Sequence, residues 1–290
     1  MIPVVPLLRG GKVYSSLDVQ DVNPVTGGDA VAQVTMSNSG LIKRDLLDLE
    51  ESRKALAKFT TQELLDITLE AGDIFLNDDL PVGSSGQLQS PEDYLLTLAA
   101  TSGLPHSLIR MNMKRLHGVF SQVPTIFKGL SRGLSPEVLD HGYIDQHEVK
   151  VAFVPTTNAL GVILPSNSPA VNALWIPSIA MKTPVILKPG REEPWTPWRI
   201  IQAFIKAGAP AEAFSFYPAN HDGSSAIIRN CKRVMLFGGD DTVRQYENDS
   251  SVEVHGAGRS KILIGDDEIE NWKDHLDLIV SSISANSGRS

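Results

Sequence analysis

Short apolar runs alternate with amphipathic segments through the second half of the chain. The segments between the runs have helical spacing, around residues 169–182, 196–207 and 223–229. Apolar runs that alternate with helices in this way indicate a parallel sheet covered on both faces. The pattern predicts an α/β fold with a doubly wound, Rossmann-like parallel sheet. Its expected strands are residues 162–164, 185–187, 214–217, 234–237 and 262–264.

The first half of the chain has a different pattern. Residues 1 to about 40 are strand-like and rich in turn residues, whereas residues 41–77 carry apolar side chains at helical spacing. Thr61 is the candidate N-cap there, with Glu63 close behind. Further helices are expected at 92–98 and 108–120, and the stretch 148–154 alternates as a strand. Helices are therefore expected to flank the predicted sheet.

Composition and charge exclude several functions. The hydrophobic content of 42% and charged content of 21% are ordinary for a globular protein. A net charge of −8 leaves no basic excess to neutralise phosphates, so no nucleic-acid partner is expected. No segment approaches the ~20 apolar residues of a membrane span, and the short apolar start carries Pro3 and Pro6 without a basic leader. The single cysteine, Cys231, excludes an internal disulfide, and a cytoplasmic location is predicted.

Polar groups follow the first two predicted strands of the sheet. The first strand runs into Pro165-Ser166-Asn167, and the second ends in Lys188 with Arg191 close behind. Ligands of open parallel sheets bind at the carboxyl ends of the strands. An Asn amide there suits a developing oxyanion, although Asn and Ser are also ordinary turn residues. A single Lys at a strand end is more often simply solvated.

Two glycine-containing segments follow later in the chain. Phe237 is followed by Gly238-Gly239-Asp240, where the missing side chains let a ligand approach the backbone; Asp240 is equally an ordinary helix N-cap. Glu253 and His255 precede a second glycine-rich stretch, and an imidazole there is a candidate general base. A structural histidine is the competing interpretation. Neither a complete G-x-G-x-x-G fingerprint nor a Walker motif occurs, and no metal site is predicted.

The order and spacing of these blocks resemble the aldehyde dehydrogenase superfamily. The turn 23–27 is similar to an early turn of that superfamily, and the segments 254–261 and 286–290 look closest to its acyl-CoA reductase branch. In the superfamily a cysteine follows that last turn immediately and attacks the carbonyl, while a nicotinamide cofactor gives or takes hydride. The resemblance therefore implies an N-terminal fragment that ends just before the catalytic Cys.

The resemblance assigns a role to each block. Asn167 would stabilise the oxyanion, and His255 would take the position of the general base, with Glu253 as a rival. Lys188 would hold the adenosine ribose. The full set of implied cofactor-binding residues is Pro165, Ser166, Lys188, Arg191, Phe237, Gly239, Asp240 and Gly256.

Some positions depart from the pattern of the superfamily. Arg191 stands where many NAD-preferring relatives have a carboxylate, so NADP becomes plausible beside NAD. Asp240 places a negative charge near the expected pyrophosphate. Cys231 precedes the strand 234–237, at the wrong end for a site at strand carboxyl ends, and a structural role is expected for it.

The sequence thus predicts an NAD(P)-dependent oxidoreductase that acts on aldehyde or acyl-CoA groups. Residues 1–133 would be the N-terminal part of the nucleotide-binding domain, 134–158 an oligomerisation hairpin of a homo-oligomer, and 159–290 the Rossmann-like core. The chain alone is expected to bind cofactor without turning over substrate. Two alternatives stay open: a non-catalytic nucleotide-binding or assembly module, and a reductase of phosphorylated acyl groups.

Overall fold

The computed structural model describes residues 2–83, 86–258 and 261–284. Its strands are β1 (Val4–Val5), β2 (Leu7–Arg9), β3 (Lys12–Tyr14), β4 (Val19–Val22), β5 (Ala32–Thr35), β6 (Leu80–Val82), β7 (Gln87–Gln89), β8 (Ile144–Gln146), β9 (Val149–Val151), β10 (Leu160–Ile163), β11 (Val185–Lys188), β12 (Phe214–Phe216), β13 (Arg233–Phe237) and β14 (Val252–His255). Its α-helices are α1 (Ser39–Leu46), α2 (Glu50–Ala57), α3 (Thr61–Asn77), α4 (Pro91–Ser102), α5 (His106–Leu130), α6 (Val138–His141), α7 (Pro177–Ala180), α8 (Trp195–Lys206), α9 (His221–Asn230), α10 (Asp240–Tyr246) and α11 (Leu276–Ser284). Short 3₁₀ helices cover Pro169–Leu174, Ala211–Ala213 and Ile269–His275.

The main sheet has the strand order β14-β13-β10-β11-β12-β2-β3. The strands from β14 to β12 run parallel, while β2 and β3 add an antiparallel edge. The parallel part of the sheet begins at β10, continues outward through β11 and β12, and returns to β13 and β14 on the other side of β10. This reversal is the topological switch point of a doubly wound fold, so the predicted fold class is confirmed.

Side chains of the central strands point alternately into two cores, one on each face of the sheet. Val185 and Leu187 lie in the larger core with the aromatic side chains of α5 and α8, whereas Ile186 lies in the smaller core with residues of α1 and α9. Alternation along a strand sends successive side chains to opposite faces. Because helices cover both faces, apolar residues are needed at every position of these strands, which explains the continuous apolar runs.

Two elements of the predicted core differ in the structure. The expected strand 262–264 does not form, and the fifth parallel strand is β14, ten residues earlier. Val252 is buried beside β13, whereas Leu263 is 90% exposed. The expected helix 169–182 is divided into the 3₁₀ helix Pro169–Leu174 and α7. Pro177 has no N–H to continue the hydrogen-bond ladder from the preceding turn, so the helix restarts there.

The helices of the first half also begin at other positions than predicted. Thr60, not Thr61, is the N-cap of α3, and Glu63 completes a capping box with it. The same device starts α4, where the Ser90 hydroxyl accepts from the Asp93 N–H and the Asp93 carboxylate accepts from the Ser90 N–H. The helix α5 is longer than its predicted core of 108–120.

Residues 144–151 form a separate two-stranded hairpin within the predicted oligomerisation segment. Strands β8 and β9 pair through a two-residue turn at His147 and Glu148, whose φ angles are 49° and 66°. Positive φ at both turn positions is the type I′ geometry that matches the twist of a hairpin. Tyr143 and Val149 are more than half exposed. None of the helices in the described part of the chain is long and apolar enough to cross a membrane.

Candidate cofactor-binding site

The loops that carry the predicted site residues meet at one edge of the sheet. In the strand register, Ile163 pairs with Lys188 on one side and with Leu236 on the other. Phe237 pairs in turn with His255. The loop after β10, which contains Asn167, therefore starts at the same edge as the ends of β11, β13 and β14. This edge includes the switch point between β10 and β13, where doubly wound folds bind ligands.

Direct contacts hold the loops after β10 and β11 together. The N–H of Leu164 donates to the Lys188 carbonyl over 2.8 Å, and the N–H of Glu192 donates to Ser166 Oγ over 3.2 Å. A Cβ on Gly190 would lie 2.5 Å from Ser166 Oγ and 2.6 Å from the Pro165 carbonyl oxygen. Only glycine allows the two loops to approach so closely.

Lys188 places a half-buried ammonium group at the end of β11. Burial lowers the pKa of Lys188, and the nearby Glu192 opposes this shift. No ion pair joins Lys188 to any residue in the described ranges. A partly desolvated cation of this kind is a suitable partner for hydroxyl or phosphate oxygens of a ligand.

Arg191 is exposed on the same loop and contacts the N-terminal part of the chain. With the Gln20 amide oriented to satisfy hydrogen bonding, its oxygen accepts from Arg191 Nε at 2.5 Å and from Nη2 at 3.0 Å. Gln20 belongs to β4, so a strand outside the main sheet orients this guanidinium. The partner is neutral, and the positive charge of Arg191 stays available to an anionic ligand.

His255 lies against Phe237 on the other side of the switch point. The two rings stack with centroids 4.6 Å apart, and Glu253 Oε1 lies 3.0 Å from His255 Nε2. Glu253 and His255 are two residues apart on β14 and so share one face of the strand. The Glu253 carboxylate is close to the imidazole but not well aligned with it, because Nε2 makes no hydrogen bond of good geometry to the described residues.

The glycines near β13 and β14 differ in their surroundings. Open space lies next to Gly239, whereas a Cβ on Gly256 would lie 2.7 Å from Val243 Cγ2. Gly239 therefore leaves room for a ligand, and Gly256 lets β14 pack against α10. Asp240 is exposed in the first turn of α10, so water solvates its charge. Asn167 is also exposed, in the loop after β10.

The residues at this edge fit a dinucleotide. On the β11 side of the switch point lies the half-buried ammonium group of Lys188, which makes no ion pair in the described part of the chain. On the β13 side lies the open surface beside Gly239. The model of the aldehyde dehydrogenase family matches residues 89–290. The chain belongs to the aldehyde dehydrogenase family.

Solved structures, among them two aldehyde dehydrogenases, share the fold. An NAD-dependent aldehyde dehydrogenase of Sinorhizobium meliloti superposes with a TM-score of 0.76 at 17% identity, over 98% of this chain and 56% of that one. An NADP-dependent enzyme of E. coli gives 0.74 at 15% identity, over 98% and 58%. A mutant of aldehyde dehydrogenase C from Pseudomonas syringae, complexed with NAD⁺ and octanal, gives 0.76 at 14% identity, over 99% and 56%.

The chain spans less than three fifths of the length of these structures. A search of the curated proteins finds no significant match. At identities of 14–17% the superpositions establish the fold of the chain.

One buried residue beside the aldehyde dehydrogenase crevice was missed by the sequence interpretation. Glu193 is 1% exposed, and its Oε1 accepts from the N–H and the hydroxyl of Thr196 at the start of α8. Burial raises the pKa of Glu193 to about 8. The available signal was an acidic residue directly before Pro194 and three residues before Thr196, which is the spacing of a helix cap.

Cys231 has the structural role that was expected of it. It is buried directly before β13, at the amino edge of the sheet, and burial raises its pKa to about 12. A cavity of about 690 Å³ also opens away from the predicted site, between α2, the end of α5 and residues 153–158. None of the predicted site residues lines it, so this cavity belongs to a different part of the aldehyde dehydrogenase fold.

Proposed function

We propose that this chain is the cofactor-binding part of an NAD(P)-dependent oxidoreductase that acts on aldehyde or acyl-CoA groups through a cysteine. The observation that carries the proposal is the strand register. It brings the ends of β10, β11, β13 and β14, and with them Lys188 and His255, to one edge at the switch point. Membership of the aldehyde dehydrogenase family supports the same reaction class.

The cofactor would be held by residues from both sides of the switch point. Lys188 would hydrogen-bond the adenosine ribose, with the loop Pro165–Ser166 beside it. The uncovered backbone at Gly239 would take the pyrophosphate or the nicotinamide ribose. Arg191 adds a guanidinium beside the ribose position, which favours a 2′-phosphate and therefore NADP over NAD.

The remaining site residues would serve the substrate. Asn167 would donate its side-chain N–H to the carbonyl oxygen as negative charge develops there. His255 would accept a proton from the attacking thiol or from water, with the Glu253 carboxylate stabilising the imidazolium that results. The stack on Phe237 fixes the plane of the imidazole ring. The nicotinamide, when bound, supplies or accepts the hydride.

The reactive thiol does not come from these residues. Cys231 is the single cysteine of the chain, and it is buried at the amino edge of the sheet. The high pKa of Cys231 leaves its thiol protonated at neutral pH, whereas the nucleophile must be a thiolate. We therefore expect the 290-residue chain to bind cofactor and to turn over neither aldehydes nor acyl-CoA thioesters.

The acyl-CoA part of the proposal rests on segments near residues 254–261 and 286–290. Arg259, Ser260 and residues 285–290 lie outside the described residues. Among the described residues, the acyl-CoA proposal is supported by His255, which stands at the position of the general base. The test is steady-state turnover, by cofactor absorbance, of aldehydes with NAD(P)⁺ and of acyl-CoAs with NAD(P)H. Turnover of either class by the 290-residue chain would contradict the expected lack of activity.

Calorimetric titration with NADPH and NADH tests cofactor binding directly. We expect binding by the wild-type chain and weaker binding by Lys188→Ala, by about tenfold if one charge-assisted hydrogen bond is lost. Lys232→Ala is the matched control, because Lys232 is exposed beside β13 at the opposite edge. A folded wild-type chain that binds neither cofactor would favour the alternative of a non-catalytic assembly module.

A charge reversal tests the preference between the two cofactors. Arg191→Glu should weaken NADPH binding and leave NADH binding little changed, because only NADPH carries the 2′-phosphate. Arg229→Glu makes the same charge change on α9, away from the crevice. Equal loss of both cofactors in Arg191→Glu would show that Arg191 does not select the phosphate.

We further propose that the hairpin of β8 and β9 joins copies of the chain. Large apolar side chains in and beside it are exposed: Tyr143 51%, Val149 61% and Val154 80%. Exposed apolar side chains close together are typical of interaction surfaces. Val149→Asp should lower the molar mass measured by light scattering after size exclusion, and Leu88→Asp, on the separate hairpin of β6 and β7, should not. An unchanged mass in Val149→Asp would exclude this hairpin as the interface.

A further inference from the structure

The loop between β11, which ends at Lys188, and α8 carries Arg191. It ends at the buried carboxyl group of Glu193. Glu193 lies between the exposed residues Arg191 and Glu192 and the first turn of α8. Its Oε1 accepts from the Thr196 N–H at 2.8 Å and from the Thr196 hydroxyl at 2.5 Å. Glu193 therefore ties the end of the loop to the first turn of α8, whose N-cap is Pro194.

A second helix completes this arrangement. The Thr196 hydroxyl uses its hydrogen toward Glu193, so it accepts from the Tyr94 hydroxyl of α4, 2.7 Å away. Trp195 Nε1 donates to Thr101 Oγ1, also on α4, over 3.0 Å. Tyr94 and Thr101 are fully buried. The start of α8 is thus held on α4, a helix that contributes no residue to the crevice itself.

Before Glu193, the hydrogen bond from the Glu192 N–H to Ser166 Oγ and the close approach of Gly190 to Pro165 and Ser166 hold this loop against the loop after β10. Arg191 lies between Gly190 and Glu192 on this loop, and its guanidinium makes no ion pair to any described residue. Lys188 is the last residue of β11, where it pairs with Ile163. The position of Arg191 therefore depends on the backbone of the loop and on the contact of its guanidinium with Gln20. Movement of the start of α8 would move Arg191, which lies two residues before Glu193.

We propose that Glu193, together with Tyr94 through Thr196, is the positioning residue of the loop 189–192, which carries Arg191. It acts by holding the start of α8, and not by touching the cofactor. The role in cofactor binding rests on the proposed function, whereas the effect on the loop itself does not. The second carboxyl oxygen, Oε2, makes no hydrogen bond within the described residues, so the neutral amide of glutamine can replace the carboxyl without losing the contact to Thr196.

Two variants separate positioning from general stability. Glu193→Leu fills the buried space but removes the acceptor for Thr196, and Glu193→Gln keeps the acceptor. Tyr94→Phe removes the hydroxyl that donates to Thr196, the next hydrogen bond in the series from Glu193. Thr68→Val is the matched control, because the Thr68 hydroxyl is also buried and bonds to a helical carbonyl of α3, away from the loop.

The first readout is amide hydrogen–deuterium exchange of peptides covering residues 186–198 in the chain without cofactor. We expect faster exchange there in Glu193→Leu and a smaller increase in Tyr94→Phe. Glu193→Gln should exchange like the wild type, and Thr68→Val should be unchanged in this segment. Wild-type exchange in Glu193→Leu would overturn the proposal whether or not the chain binds cofactor.

The second readout is the dissociation constant for NADPH. Loss of the hydrogen bonds to Thr196 should raise this dissociation constant about tenfold in Glu193→Leu, which corresponds to about 1.4 kcal/mol. Glu193→Gln should restore binding to near the wild-type value. If the wild-type protein binds NADPH and Glu193→Leu binds it equally well, the positioning role of Glu193 is refuted. If the folded wild-type protein binds no cofactor, the proposed function fails instead. In that case amide hydrogen exchange alone decides whether Glu193 holds the loop.

Discussion

The imidazole of His255 stacks on the phenyl ring of Phe237, with centroids 4.6 Å apart and an interplanar angle of 14°. The two residues are direct neighbours in the register of β13 and β14. They come from strands separated by α10, and both precede glycines. The candidate base is therefore oriented by a ring from the adjacent strand and by Glu253 from its own strand.

Loss of this stack should free the imidazole with a modest effect on stability. In Phe237→Leu we expect the His255 ring resonances to shift downfield, because the ring current of Phe237 is lost, and the free energy of unfolding to fall by about 1 kcal/mol. Proton NMR and urea denaturation measure the two effects. Tyr143→Leu, on the exposed hairpin, is the control. An unshifted His255 signal would be incompatible with the stacked geometry.

Glu193 should make the stability of the protein depend on pH. Burial raises its pKa from 4.5 to about 8, so between these values the folded state binds more protons than the unfolded state. The free energy of unfolding should therefore fall as pH rises from about 5 to about 8, at about 1.4 kcal/mol for each pH unit across the interval. Glu193→Gln should flatten this part of the profile. Urea denaturation at several pH values measures the free energy of unfolding of both proteins. Parallel pH profiles of the wild type and Glu193→Gln would show that the pKa of Glu193 is not raised.

A single methyl group at position 190 should separate the loops that follow β10 and β11. In Gly190→Ala the new Cβ would meet Ser166 Oγ at 2.5 Å and the Pro165 backbone at 2.6 Å. We expect a loss of stability of about 1–3 kcal/mol from overpacking, and weaker NADPH binding. The control, Gly118→Ala, places a methyl group in open space on α5 and should stabilise the helix by up to about 1 kcal/mol. Thermal melting and calorimetric titration test both variants. If the melting temperature and the NADPH affinity of Gly190→Ala equalled those of the wild type, the loops would be free to move apart.

The buried guanidinium of Arg199 should be essential for stability. It donates to the carbonyls of Phe75, Asp78 and Gln89 at 3.0, 2.7 and 3.0 Å, joining α8 to the end of α3 and to β7. Burial lowers the pKa of Arg199 to about 10. Arg199→Lys cannot reach all these acceptors, because an ammonium lacks the planar fork of donors.

We expect Arg199→Lys to lower the free energy of unfolding by about 3 kcal/mol or more, since buried carbonyls are left without donors. Arg115→Lys changes the same residue type at an exposed position of α5 and should be neutral. Guanidinium denaturation compares the two. If Arg199→Lys lowered the free energy of unfolding by less than the contribution of one hydrogen bond, the lysine would have to satisfy these carbonyls in another way.

The sequence pattern placed most strands of the sheet and the residues that follow them. Lys188 and Asn167 could be found because each comes directly after a buried apolar run, and the end of such a run is a local signal. The spacing of Glu193 to Thr196 is a local signal, but its burial could not be predicted in this way, because nothing local shows that α4 packs against the start of α8. The partner of Arg191 was equally hidden, since Gln20 is about 170 residues away and contacts it only through the fold.

The sequence by itself determined the fold class, the family and the identity of the groups at the strand ends, because apolar periodicity and short motifs act over a few residues. The tertiary structure decided which segment completes the sheet. β14 and the run 262–264 are both apolar enough for a strand, and only the pairing of Val252 with Val234 beside a buried core selects the first. Strand order, the burial of Glu193 and the stack of His255 on Phe237 likewise depend on contacts between distant segments. Such contacts gain their free energy only when the chain has closed around them, so they leave no local pattern to read.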